Sequence, residues 1–488
     1  MSMMTQAFFA ALILFVLFVA FVLIRAALFK PPADSPVSLT EHPFSEESVS
    51  AHLSEMIRIP TVSNIDPAKS DLRVFSDFRD LLQSLYPEAS RVCSRELIGP
   101  SGVLYRWKGK SAEESVVFMA HYDVVPATET GWVHEPFSGK IDDAGVLWGR
   151  GAIDTKITLC GIMEAVEARI REGFVPDRDI WLSFSGDEEV FGPSAPAIVE
   201  HLKSLGVRPS LVLDEGGAVV SNVFPGVSQP CAVVGIAEKG MMNVELAVES
   251  NGGHASAPPR RQTVDILARA IRSVLARPFP ARLSPASAAM FDVLGRRSSF
   301  GYRVLFANIR IFLPLFKLIC RLSGGELDAM MRTTCCATTL SGGPAFNVMP
   351  SLASAGFNLR LLSGDTVEGT LSEIKSRVRD DRVKVSLAYG NDPSPVASTD
   401  SNAWKAVSES IRAVWPEAVP APYLMVACTD SRHFSRICDN VLKFSAMELS
   451  KEERGTMHAR NERIPVAKIP LTCSFFWNLI GRLNSDKA

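Results

Sequence analysis

A chain of 488 residues is too long for one hydrophobic core and divides into two or three domains. Its 51 Lys and Arg against 53 Asp and Glu exclude the basic surface of a nucleic-acid binder, and 47% hydrophobic with 21% charged residues exclude a disordered chain. Nine cysteines without CxxC spacing, two of them adjacent (Cys335 and Cys336), form neither a zinc ribbon nor a disulfide framework.

The first predicted element is Ala7 to Ile24, a run without a charged or polar side chain. As a helix it is about 27 Å long, close to the roughly 30 Å hydrocarbon core of a bilayer. No basic residue precedes it, and Ile24-Arg-Ala-Ala-Leu-Phe29 is a poor cleavage site, so it reads as an uncleaved single-pass anchor rather than a secretory signal. Arg25 and Lys30 follow it and, taken alone, place the body on the cytoplasmic side. Residues 1–30 are therefore the anchor and 31–43 a stiff proline-containing linker.

The folded body starts at residue 44. Helical spacing covers Glu46 to Ile57 and Phe75 to Leu85, and strands are predicted at Gly102–Trp107 and Ser115–Ala120. A glycine-rich turn, Gly149-Arg-Gly-Ala-Ile-Asp154, leads into a helix over Ile157–Arg171. Apolar strands at Ile180–Phe184 and Ser210–Leu213 run into Ser185-Gly-Asp-Glu-Glu189 and Asp214-Glu215-Gly-Gly217. Strands alternating with helices, each strand ending in acidic or His residues, form an α/β catalytic domain on a mostly parallel sheet, with the site at its carboxyl edge. The texture changes at residue 239. Strands at Met242–Glu249, Thr338–Leu340, Ser354–Leu362 and Val383–Leu387, with helices at Thr263–Leu275 and Val367–Val378, give the order β-α-β-β-α-β of an inserted α+β domain over 239–393. Within it an extra segment, about Pro278 to Met331, carries the apolar stretch Val304–Leu322, which Arg310, Pro314 and Lys317 disqualify as a membrane span. The catalytic domain thus comprises 44–238 and 394–488.

Five ligand-type residues stand out: His121, Asp154, Glu189, Asp214 and His458, in a chain with only eight histidines. His121 and Asp123, two apart past a strand end, suit a metal ligand held by a carboxylate. Nitrogen and oxygen donors without cysteine suit Zn²⁺, and also Co²⁺ or Mn²⁺. Five ligands are too many for one catalytic zinc but fit two ions sharing a carboxylate. Two divalent ions against three carboxylates leave one positive charge, which lowers the pKa of a water between them from 15.7 toward about 7. Of the neighbours Glu188 and Glu189, one can ligate while the other faces that water as general base.

The segments MAHYDVVPA, GRGAIDTK, SGDEEVFG, LDEGG, GGHASAPP, FNVMPS and TMHARNER resemble those of the M20 family of metallopeptidases, in the branch of carboxypeptidase S and the N-acyl amino acid synthase/hydrolase. The resemblance runs from about Ser48 to the C-terminus. It implies an α/β catalytic domain with an inserted lid or dimerisation domain and two zinc ions. His121, Asp154 and Asp214 would hold one ion and Asp154, Glu189 and His458 the other, with Asp154 bridging. Asp123 would orient His121, Glu188 would be the general base, and the Asp154–Thr155 peptide would be cis. In the inserted domain, His254 resembles a residue that stabilises the oxyanion across a dimer interface. Asn347 and Arg360 resemble residues that bind the substrate carboxylate, and an Arg fork suits that task; Arg432 is a further candidate. The expected reaction is hydrolysis of an amide next to a free α-carboxylate, in a peptide or, alternatively, an N-acyl amino acid. The resemblance also implies a body outside the cytoplasm, against the charge bias beyond the anchor. A silent binding protein on this fold would lack a ligand or the base, and none is missing.

Overall fold

The computed structural model describes residues 2–32 and 43–483. Most of the expected linker lies outside the described residues. Strands β1 (Ser94–Ile98), β2 (Gly102–Trp107), β3 (Ser111–His121), β4 (Arg178–Ser185), β5 (Leu211–Val220) and β6 (Cys231–Glu238) lie in the first half. Next come β7 (Gly240–Glu249), β8 (Thr334–Ser341), β9 (Leu352–Leu361) and β10 (Val383–Asn391), then β11 (Val419–Met425) and β12 (Val441–Glu448).

Eight of them form one mixed, mainly parallel sheet in the order β1-β2-β4-β3-β5-β12-β6-β11. The run Val116–Ala120 is continuously apolar because β3 is central and covered on both faces. Val116, Phe118 and Ala120 point into the larger core, beneath helix α2 (Lys156–Arg171). Val117 and Met119 point into the opposite layer with Phe434 and Ile437. β3, β4 and β5 are mutually parallel, so the turns after them open on the same edge.

The other four strands make an antiparallel sheet, β8-β9-β7-β10, backed by helices α3 (Thr263–Leu275) and α4 (Val367–Val378). Both helices have the bounds that the periodicity predicts. Residues 285–331 do not join this small core. Phe291, Leu294, Phe306 and Met331 pack instead with Cys231, Val419 and Ala421 at the edge of the large sheet. The apolar stretch Val304–Leu322 falls in two helices, Phe300–Ala307 and Leu313–Ser323, the second carrying Pro314 in its first turn, where a fixed φ and a missing N–H are tolerated. The N-terminal helix runs from Met3 to Leu28; it is exposed along most of its length, with Val22 and Ala26 buried.

Candidate metal centre

His121 ends β3 and is buried. Its Nδ1 donates to the backbone carbonyl of Asp123 at 2.9 Å, so Nε2 is the nitrogen turned toward Asp154. The Asp123 carboxylate stands 3.4 Å from Nδ1. It is fully buried and accepts from Ser63 Oγ at 2.7 Å and from the backbone N–H groups of Glu188 and Glu189 at 3.1 Å each. One carboxylate therefore fixes both the histidine loop and the turn after β4 that carries the paired glutamates.

Asp154 sits in a turn whose backbone is held from afar. Glu462, wholly buried, accepts from the N–H of Ile153 at 2.8 Å and of Asp154 at 3.1 Å, and pairs with buried Arg150 at 2.9 Å. The Asp154–Thr155 peptide is cis. The two Asp154 oxygens diverge. Oδ1 lies 3.0 Å from His121 Nε2, and Oδ2 lies 3.0 Å from His458 Nε2. Glu189 Oε1 is 3.2 Å from the same His458 nitrogen.

On the His121 side the carboxylate that the structure brings close is that of Glu215, with Oε1 at 3.2 Å from His121 Nε2. Asp214, the expected ligand, lies outside this group of donors and accepts from the backbone N–H of Ser431 at 3.0 Å and of Glu215 at 2.9 Å. A bulge causes the difference. Asp214 pairs with Lys443 and Gly217 with the next residue, Phe444, so Glu215 and Gly216 stand out of the ladder. Gly216 has φ of +151°, and a Cβ there would come within 2.6 Å of that of Lys443. Two groups of donors result: His121, Asp154 and Glu215, and Asp154, Glu189 and His458, each with ligand atoms within 4.8 Å of one another.

The donor set fits a metal pair. Ligands at 2.0–2.1 Å on one tetrahedral zinc stand about 3.3 Å apart, and the contacts above are 3.0–3.2 Å. Electrostatics agrees. Burial alone would raise Asp154, yet hydrogen bonds from His121 and His458 hold it well below the carboxylate range. His458, donating to the carboxylates of Asp154 and Glu189, is lifted to about 10. Burial pushes Glu215 up to about 8 and Glu188 well above its usual value, His121 pulling both back in part. A cage that holds protons this firmly is one that cations can occupy instead.

Around it, Arg432 is buried and lies over the Phe191 ring at 5.2 Å; burial works against its charge, but Asp430 and then Glu188 raise its pKa. Ser185 donates to Asp430 at 2.5 Å, and burial raises Asp430 to about 7. Arg360 reaches from the small sheet to Cys428 Sγ at 3.4 Å, the loop that holds Arg432. His254 and Asn347 sit together on an exposed ribbon, Gly253–His254 against Val348–Met349, where Ala255 N–H donates to Asn347 O at 3.0 Å. Neither is hydrogen-bonded to the donor groups in the single chain. The sequence reasoning passed over Glu215, Arg150, Glu462 and Asp430. The first three lie in the motif segments and Asp430 lies two residues before Arg432, but their roles depend on register and burial that spacing does not carry.

The model of "Peptidase family M20/M25/M40" matches residues 117–482. The chain belongs to this family. It is 34% identical over 419 residues to "Probable carboxypeptidase S-like 2" of Dictyostelium discoideum, covering 85% of this chain and 80% of that one. It is 30% identical over 442 residues to the human "N-fatty-acyl-amino acid synthase/hydrolase PM20D1", covering 89% and 88%. Among solved structures, an M20 family metallo-carboxypeptidase, Sso-CP2 from Sulfolobus solfataricus, shares the fold with a TM-score of 0.68 at 17% identity, over 89% of this chain and 99% of that one. The M20 protein is accordingly a metal-dependent amide hydrolase.

Proposed function

We propose that this M20 protein cleaves an amide bond next to a free α-carboxylate, with two zinc ions in the donor groups that share Asp154, on a body tethered to a membrane by its N-terminal helix. The observation that carries the reading is the divergence of the Asp154 oxygens toward two different histidines. Cobalt or manganese would suit the same donors. When bound, the pair supplies charge that lowers the pKa of the attacking water and polarises the scissile carbonyl.

Glu188 takes the proton from that water and returns it to the leaving amine; burial raises its pKa, which favours holding the proton between the two transfers. Asp123 holds the Glu188 backbone in place. Arg360, with Arg432 beyond Cys428, offers a guanidinium fork to the substrate carboxylate. His254 and Asn347 act from the exposed ribbon of a second subunit, His254 on the oxyanion. This makes the small-sheet region, residues 239–393, the dimerisation and lid unit. Retention of the N-terminal helix is supported by its packing: Arg25 donates to Ala307 O at 2.8 Å and Asn308 to Val22 O at 3.1 Å, bonds that cleavage would strip away. Glu188→Gln tests the assignment. It should keep both ions and lose turnover by about 10²–10⁴; unchanged turnover refutes it.

A cavity favours an N-acyl amino acid over a peptide. Its volume is about 340 Å³, and its wall includes Ile153, Gly216 and Met457, each one residue from a member of the donor groups. Val220, Leu294 and Met330 make much of the wall apolar, with Glu326 and Arg454 also lining it. A hydrocarbon chain beside the centre would fill such a space. Comparing hydrolysis of a dipeptide with that of a long-chain acyl amino acid separates the two substrates.

A further inference from the structure

We propose that the face formed by Phe300–Ala307 and Leu313–Ser323 is a second membrane-contact surface, embedded in the headgroup layer of an anionic bilayer. The proposal rests on the reading of the N-terminal helix as an anchor in that bilayer.

Three observations converge. The first is exposure. On Leu313–Ser323, Phe316 and Cys320 are buried against the body, while Leu315, Leu318 and Leu322 form a row on the outside, at 51%, 52% and 78% exposure. Phe300 and Tyr302 on the preceding helix are each 46% exposed. Large apolar side chains grouped in this way mark a contact surface.

The second is charge. From Asp292 to Gly325 the chain contains Arg296, Arg297, Arg303, Arg310, Lys317 and Arg321 against a single acidic residue, Asp292, which pairs with Arg296 at 2.8 Å. Basic residues among exposed Leu, Phe and Tyr on short amphipathic helices are the composition of elements that lie in a membrane interface and meet anionic headgroups. A second copy of the chain on this face would bring like charges together.

The third is position. The N-terminal helix is exposed from Met3 to Phe21, about 28 Å at 1.5 Å per residue and close to the roughly 30 Å apolar core. It first becomes buried at Val22, where Asn308 binds its carbonyl, and Arg25 then donates to Ala307. Arg296 continues the junction, donating to Lys30 O at 3.1 Å with its guanidinium 4.5 Å from the Phe29 ring centroid. The two short helices are thus fastened where the long one would leave the hydrocarbon.

The test places single tryptophan reporters in the full chain, reconstituted in phosphatidylcholine vesicles with brominated acyl chains, and reads quenching against the parent protein. Phe15→Trp reports the anchor, Leu318→Trp the proposed surface, and Lys375→Trp, on an exposed helix of the small sheet, the aqueous control. Quenching at 15 and 318 but not at 375 is expected, with the signal at 318 growing when a quarter of the lipid is phosphatidylserine and that increment lost in high salt. Quenching at 15 with position 318 as dark to lipid as 375 overturns the surface and leaves the anchor standing. No quenching at 15 overturns the anchor reading, and quenching at 318 would then show the surface binding lipid by itself. Added cross-linking between copies at an unquenched position 318 assigns the face to a dimer instead.

Discussion

Exchanging the two neighbouring carboxylates of β5 separates the geometry of the centre from the simplest reading of its motif. Glu215→Gln removes a carboxylate whose Oε1 lies 3.2 Å from His121 Nε2; Asp214→Asn removes one committed to the Ser431 and Glu215 amides. Opposite unit charges 4 Å apart at an effective dielectric of 20 attract by about 4 kcal/mol, and a divalent ion at bonding distance is held more strongly. Loss of the Glu215 charge should therefore weaken one ion by at least about a thousandfold, since each 1.4 kcal/mol is a factor of about ten. Loss of an outer partner such as Asp214 typically costs about 10–100-fold. Burial raises the Glu215 carboxyl to about 8, so the amide resembles the neutral acid of the empty cage and should fold as well as the parent. Metal content by mass spectrometry after dialysis against a weak chelator should fall from two ions to one per chain in Glu215→Gln and stay near two in Asp214→Asn. The reverse pattern refutes the assignment.

Three other outcomes follow from the same geometry. His458 is raised to about 10 by its carboxylate partners, so without metal it carries a proton at neutral pH and must release it to bind an ion; the carboxylates around His121 raise it too, against the effect of burial. Apparent metal affinity should accordingly fall as pH drops from 8 to 6, about tenfold per unit for each proton displaced; a flat profile in chelator competition would contradict this. Glu462→Ala strands buried Arg150 and should cost about 3–5 kcal/mol in denaturant unfolding, with metal affinity reduced through the loosened Asp154 turn. Val223→Trp, at a half-exposed edge of the 340 Å³ cavity, should lower kcat/KM for a long-chain acyl amino acid by about tenfold or more while sparing a dipeptide, if a hydrocarbon occupies that space.

Much of the fold was legible because its elements obey simple periods. Thr263–Leu275 and Val367–Val378 repeat at helical spacing between clear boundaries, and Val116–Ala120 is apolar throughout because layers cover both its faces. The destination of 285–331 was not legible. Phe291 and Phe306 announce burial, but nothing local says which of two cores receives them. Partners distant in sequence were equally hidden: the Glu462 carboxylate meets the Ile153 and Asp154 amides only through the fold.

The choice between Asp214 and Glu215 shows where pattern reasoning stops in physical terms. Along β5, Leu211 and Leu213 face the larger core and Val212 the opposite layer, so strict alternation sends Asp214 to the side of Phe434, where the Ser431 amide waits. A regular strand would then have aimed Glu215 into the sheet's other layer. The bulge at Glu215 and Gly216 breaks that alternation and turns the glutamate toward His121 instead. It depends on a residue without a side chain at 216, since a Cβ would collide with Lys443. The LDEGG segment thus encodes its proposed ligand through its glycines as much as through its acids: the acids offer two candidates, and the backbone that Gly216 permits brings one of them to His121.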